Sequence, residues 1–186
     1  MNQPINQRLD WTPNPELLAL PAVSAQEHRG GLRNFAAAVS IVTARHEQAR
    51  AGLTATAVVS VTAEPPRLAV FVNKNVVAAN IIMDSGALCV NVLSSRQEGV
   101  ARAFAGMIEG VHGDERFRHG GWSTMVTCSP ALDDALVNFD CRVVKVYDES
   151  THHAFLCEVL ATRGCANGAG QDALVYLNGG FRQIPH

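Results

Sequence analysis

GLTATAVVSVTAEPPRLAVFVNKN runs from Gly52 to Asn75. Both halves have strand character, and a double proline divides them. The first half carries Thr54, Ala55, Thr56, Ala57 and Ser60 in quick succession. A core strand gains by filling space, and this one leaves space. Two physical readings follow. Small side chains let a helix pack closely on a strand. They also let backbone N–H and C=O groups reach the polar edge of a flat ligand.

The flanks set this stretch in a pattern of short strands. Upstream, Gln26 to Ala37 reads as a helix with Leu32, Phe35 and Ala36 on one face, and Val39 to Ala44 reads as a strand. RHEQARAG then reads as a polar hairpin connection, and Leu53 to Val61 as the next strand, ended by Glu64-Pro65-Pro66. Downstream, Arg67 to Val72 reads as a buried strand. Asn73 or Asn75 caps a helix through Met83. Ser85-Gly86 turns into the strand ALCVNVL, and Ser94 or Ser95 caps a helix from Gln97 to Ala105. GMIEGVHGDERFRHGGW is a long Gly-rich loop. Leu136 to Tyr147 and Thr151 to Arg163 form a hairpin turning at Asp148-Glu149-Ser150. ALVYL and Asn178-Gly179-Gly180 bring in a last strand pair. Six or more strands, mostly joined as hairpins, against about three helices predict a mainly antiparallel barrel with helices over its ends.

Composition narrows the class. A chain of 186 residues fits one domain, residues 25–186, preceded by a Pro-rich extended arm over residues 1–24. A net charge of −2 without a Lys/Arg run argues against nucleic acid as a partner. The uncharged stretch Ala51 to Ala63 is too short and hydroxylated to span a bilayer, and the N-terminus lacks a secretory pattern. Cys89, Cys128, Cys141, Cys157 and Cys165 form no C-x-x-C pair. The reading is a cytoplasmic protein with reduced thiols, mostly in the core.

Most motifs of chemistry are missing. No G-x-S-x-G, Walker loop or H-E-x-x-H occurs. Gly168-Ala169-Gly170-Gln171-Asp172-Ala173 spells a dinucleotide fingerprint but precedes a strand instead of following one. His152-His153 invites a metal, yet neighbours on a strand point to opposite faces and no acidic or thiol partner stands at ligand spacing. The Gly52–Asn75 stretch remains. Its hydroxyls suit a phosphate, and Lys74 beside a helix start adds charge where a phosphate is favoured. Flat ring, polar edge and phosphate together describe a flavin mononucleotide.

At these residues the chain resembles the short-chain flavin reductases, the reductase components of two-component flavin-dependent monooxygenases. LRNFAAAVSIVTA, LCVNVLSSRQEGVARAFAG, ERFRHGGW, LVNFDCRV, THHAFLCEV and LVYLNGGFRQI resemble further blocks in the same order, so the likeness spans residues 27–184. It implies an FMN-binding split β-barrel that forms a homodimer, with FMN or FAD at the subunit interface and NADH as reductant. It implies hydride transfer from NADH to the flavin and a separate oxygenase component that receives the reduced flavin. A flavin-storing protein without turnover is the alternative on the same fold. Carried over by position, Thr54, Ala55, Thr56, Ala57 and Ser60 line the flavin ring and ribityl phosphate. Asn73, Lys74 and Asn75 approach the phosphate, Val39 and Ser40 abut the ring, and Asn91 supports the floor. His152 stands near the nicotinamide and His153 does not. Thr151 replaces an Asp common in the family, and Cys157 a Gly.

Overall fold

In the computed structural model, the described residues are 11–164 and 171–185. After the short helices α1 (Pro15–Leu18) and α2 (Ala25–Leu32), the chain forms β1 (Ala37–Ala38), β2 (Ser40–His46), β3 (Ala49–Ala55), β4 (Val58–Thr62) and β5 (Arg67–Asn73). Helix α3 (Val77–Ser85), β6 (Ala87–Val92) and α4 (Glu98–Phe104) follow. Then come β7 (Trp122–Thr124), β8 (Pro130–Leu132), β9 (Val137–Glu149), β10 (His152–Gly164), β11 (Ala173–Leu177) and β12 (Gly180–Ile184).

Seven strands form one antiparallel sheet in the order β3-β2-β6-β9-β10-β5-β4. Its two edge strands, β3 and β4, are consecutive in sequence, with only Thr56 and Ala57 between them. Three Cα–Cα steps of 3.8 Å hold the edges within about 11 Å at that corner. The sheet is therefore rolled nearly closed, joined at one end by the corner and not laddered along the seam. That is a split β-barrel. Register shifts in the β9–β10 hairpin at Leu156/Cys157 and Val159/Ala161 supply the bending.

Two cores follow from the roll. Val42, Val70, Val72, Leu88, Val90 and Phe155 fill the barrel, closed by Ala79, Ile81 and Ile82 of α3. Val39, Ile41, Phe104, Phe117, Leu132 and Leu174 fill a second core outside it, beneath α4. Strand β2 lies between them, and so Ser40 to Ala44 are buried without alternation. The small sheet β1-β11-β12 joins the second core through Val39 N donating to Leu174 O and Leu174 N donating to Leu93 O.

The structure corrects several expectations. The helix expected over Gln26–Ala37 ends at Leu32, because Ala37 and Ala38 pair with Tyr176 and Val175 instead. Gly30 and Gly31 weaken its last turn, and Leu32 and Phe35 stay exposed. A Ser24–Glu27 capping box starts it one residue early. RHEQARAG is not a connection: β2 and β3 run through it and turn at Glu47-Gln48, with Glu47 at φ 53°. Leu53 to Val61 is two strands at opposite sheet edges. Neither Asn73 nor Asn75 caps α3; Asn73 Oδ1 accepts from Asn75 N, and the helix starts after Val76. Ser94 supplies the capping box at the other helix, which opens with a 3-10 turn, Ser95–Gln97. The Gly-rich loop holds a 3-10 turn over Gly113–Arg118, β7 lies at its end, and β8 was not anticipated. The β9–β10 turn falls on Ser150-Thr151, one step later than expected.

Within the arm, the described part from Trp11 buries nothing. Cys165 and the glycines of the G-x-G-x-x-A string lie outside the described residues. Cys89, Cys141 and Cys157 are buried, as expected of core thiols, and Cys128 is exposed.

Candidate functional site

The opening stretch divides by face. Gly52 and Thr54 point out of the barrel toward α4. A Cβ on Gly52 would stand 2.7 Å from Phe104 Cε1 and 3.1 Å from Thr43 Cγ2. Thr54 Oγ1 donates to Ala101 O at 2.7 Å. These two are small because a helix packs on them, and the Thr54 hydroxyl is already engaged there. Ala55 faces the barrel core. Thr56, Ala57 and Ser60 are exposed, at and just beyond the corner.

Pairing registers bring the later residues to that corner. Ala57 O accepts from Phe71 N at 3.0 Å. Two residues on, Asn73 lies opposite His152, and Lys74 N donates to Thr151 O at 3.0 Å. Corner, Asn73–Asn75 turn and His152 thus form one continuous rim. His152 shares the outward face with Asn73 and shares a hydrogen bond with Thr151 Oγ1 at 2.8 Å. His153 pairs with Val72 on the inward face, its ring edge-on to Phe155 at 5.7 Å. Lys74 Nζ donates to Ser150 O at 2.6 Å and forms an ion pair with Asp148. That contact holds the Asp148 carboxyl below its ordinary range.

Beside Asn75 opens a cleft of about 390 Å³, lined by Arg50, Leu53, Asn75, Val76, Phe104 and Arg116, among others. Arg50 is committed to Asp114 through a two-pronged contact of 2.5 and 3.0 Å and lies 4.3 Å over the Phe117 ring. Arg116 Nε is buried with no hydrogen-bond partner. Its guanidinium nevertheless lines the cleft, where its charge favours an anion. Sequence reasoning missed both arginines. Arg50 was assigned to a connection and Arg116 to a loop; the charged–aromatic alternation of ERFRH was the available signal.

Val39, Ser40 and Asn91 are fully or almost fully buried beneath this end of the barrel. Asn91 Nδ2 donates to Ile41 O (2.9 Å) and Thr43 Oγ1 (3.2 Å). Its Oδ1 accepts from Leu132 N (2.8 Å) and Asn138 Nδ2 (2.7 Å). These contacts use all of its amide capacity and tie β6 to β2, β8 and β9. The three buried thiols are not candidates for nucleophiles: burial raises those of Cys89 and Cys141 and pushes Cys157 up to about 12. No group of His, Cys, Asp and Glu suited to a metal occurs among the described residues. None of the described helices is long and apolar enough to cross a membrane.

A split barrel with an open rim of exposed hydroxyls beside a cleft is the architecture of a domain that holds a flat, polar-edged ligand. The chain belongs to the flavin reductase like domain family, whose model matches residues 32–185. It is 39% identical over 164 residues to FMN reductase (NADH) RutF of Ancylobacter novellus, covering 88% of this chain and 87% of that protein. The corresponding protein of Stutzerimonas stutzeri is 42% identical over 162 residues, with 87% and 90% covered. Among solved structures, BorF, the flavin reductase component of a bacterial two-component tryptophan halogenase, superposes with a TM-score of 0.78 at 28% identity, covering 88% of this chain and 99% of that one.

Proposed function

We propose that this protein is an NAD(P)H-dependent flavin reductase that passes hydride from NADH to FMN, or to FAD, and supplies the reduced flavin to a separate flavin-dependent oxygenase component. The observation that carries this reading is the single rim formed by the Thr56–Ala57 corner, the Asn73–Asn75 turn and His152. The donor set fits a flavin. Thr56 and Ser60 present hydroxyls in the open, Asn75 lines the adjoining cleft, and Arg116 holds an unpartnered donor there. Bound flavin supplies the hydride acceptor, so the protein needs no nucleophile of its own. The chain's part is orientation. Thr56, Ala57 and Ser60 flank the ring, Thr54 and Ala55 hold the corner from behind, Val39, Ser40 and Asn91 shape the floor beneath it, and Asn73, Asn75 and Arg116 face the phosphate. His152 lies where a nicotinamide would stack from outside.

The same reading includes a homodimer. Phe71, Ala154 and Tyr147 form one cross-strand row on the outward face, beside Val59, Ala69 and Leu156. Val59, Phe71 and Tyr147 are exposed there. An apolar sheet face next to an open cofactor rim is what a two-fold partner covers.

Steady-state oxidation of NADH and NADPH with FMN, FAD and riboflavin tests the reading. Rapid NADH oxidation that depends on added flavin is expected. Tight flavin binding without turnover would replace the reductase with a flavin-storing protein, and a Soret band in the purified protein would replace the flavin with haem.

A further inference from the structure

We propose that Lys74 is a positioning residue for His152, acting through the β9–β10 turn, and not a ligand of the cofactor phosphate. The inference rests on the reading of His152 as a nicotinamide contact. The Lys74 ammonium is already occupied. Its Nζ donates to Ser150 O at 2.6 Å and pairs with Asp148, while its backbone N donates to Thr151 O at 3.0 Å. These three contacts bind the end of β5 to both sides of one turn. That turn needs holding: Ser150 sits at φ 45°, a left-handed conformation unfavourable for a residue with a side chain. His152 is the second residue after it, and its ring is oriented by the hydroxyl of Thr151, the residue whose carbonyl Lys74 N holds. Asp148 also lies 3.6 Å from His153 Nδ1 on the inward side. Lys74 therefore sets where the hairpin end, and with it His152, stands relative to the rim. Arg116, which lines the adjoining cleft, is left as the cation to face an anion there.

The test uses the full-length protein and four variants, Lys74→Met, Lys74→Arg, Asp148→Asn and His152→Ala, with Lys74→Met also placed in the His152→Ala background. Dissociation constants for FMN and riboflavin are measured by fluorescence. Anaerobic stopped-flow reduction of bound flavin is followed against NADH concentration. Lys74→Met and Asp148→Asn are each expected to weaken NADH binding or slow reduction by about threefold to fivefold, the scale of an exposed ion pair, with FMN and riboflavin affinities changed alike and little. In the His152→Ala background, Lys74→Met should add nothing, because both act through one group. Lys74→Arg should restore most of the loss.

A Lys74→Met loss confined to FMN and absent for riboflavin would make Lys74 a phosphate ligand and overturn the proposal. So would normal NADH kinetics in Lys74→Met and Asp148→Asn alongside impaired kinetics in His152→Ala, an outcome that leaves the parent reading intact. If His152→Ala itself leaves the NADH steps unchanged, the parent reading of His152 fails, and this inference with it.

Discussion

Gly52→Ala tests the packing of α4 on the barrel. Gly52 is in a strand, and its φ lies outside the left-handed region. Backbone entropy alone therefore predicts that Ala stabilises, by about 0.4–1 kcal/mol. The structure predicts the opposite sign. The added Cβ would meet Phe104 Cε1 at 2.7 Å, Phe104 Cδ1 at 3.0 Å and Thr43 Cγ2 at 3.1 Å. Phe104 cannot swing aside cheaply, since it packs edge-on against Phe117 at 5.0 Å and against Trp122 at 5.4 Å. Thr43 is held too, its Oγ1 donating to Pro130 O at 2.5 Å. Overpacking of this kind costs about 1–3 kcal/mol. After the entropic offset, a net loss of about 1–2 kcal/mol remains, or roughly 2–8 °C in Tm for a domain of this size. Gly99→Ala is the matched control. Gly99 lies in α4 with nothing within 4 Å of a Cβ, and it should gain about 0.5–1 kcal/mol. Thermal unfolding by circular dichroism reads both. Phe104→Leu should relieve part of the Gly52→Ala penalty, because the two changes share one contact. A Gly52→Ala protein that melts at or above the parent temperature would refute the reasoning.

Four further outcomes follow from the same contacts. Asn91→Ala strands Leu132 N and one of the two Asn138 Nδ2 protons in the core, the other still donating to Leu132 O, and should cost about 2–4 kcal/mol in chemical denaturation; a loss under about 1 kcal/mol would show that water replaces the amide. Phe71→Asp places a charge in the outward apolar row and should convert a particle of roughly twice the 19.9 kDa chain mass into a monomer by light scattering. Brief iodoacetamide treatment of the native protein should label Cys128 and spare Cys89, Cys141 and Cys157, read by peptide mass spectrometry. Glu158 bridges Arg142 and Arg67, with Arg142 chiefly responsible for lowering its carboxyl pKa. A lowered pKa in the folded state means the pair stabilises above the ordinary carboxylate range and is lost as pH falls through the folded value. Glu158→Gln should therefore lower stability slightly at neutral pH and flatten the acid limb, so that variant and parent converge in chemical denaturation once pH falls below the folded value.

The sequence by itself determined the class and most of the strands. Period-two patterning and hairpin turn residues marked β5, β6 and the β9–β10 pair to within a few residues, because those are local properties of the chain. It also placed His152 and His153 on opposite faces, since strand geometry requires it. The tertiary structure alone decided that Leu53 to Val61 breaks at Thr56-Ala57 and spans the two edges of the sheet. A rolled sheet is closed by pairings distant in sequence, and no local pattern records them. The same applies to the small residues at the start of the opening stretch. Gly52 and Thr54 look like room for a ligand until α4 is seen lying on them, while Thr56, Ala57 and Ser60 remain open at the rim. Lys74 reads as a free cation beside a helix start. Only the fold brings Asp148 and Ser150, more than seventy residues away, to its ammonium. An ionic partner is chosen by proximity in space, and that proximity exists only once the barrel has closed.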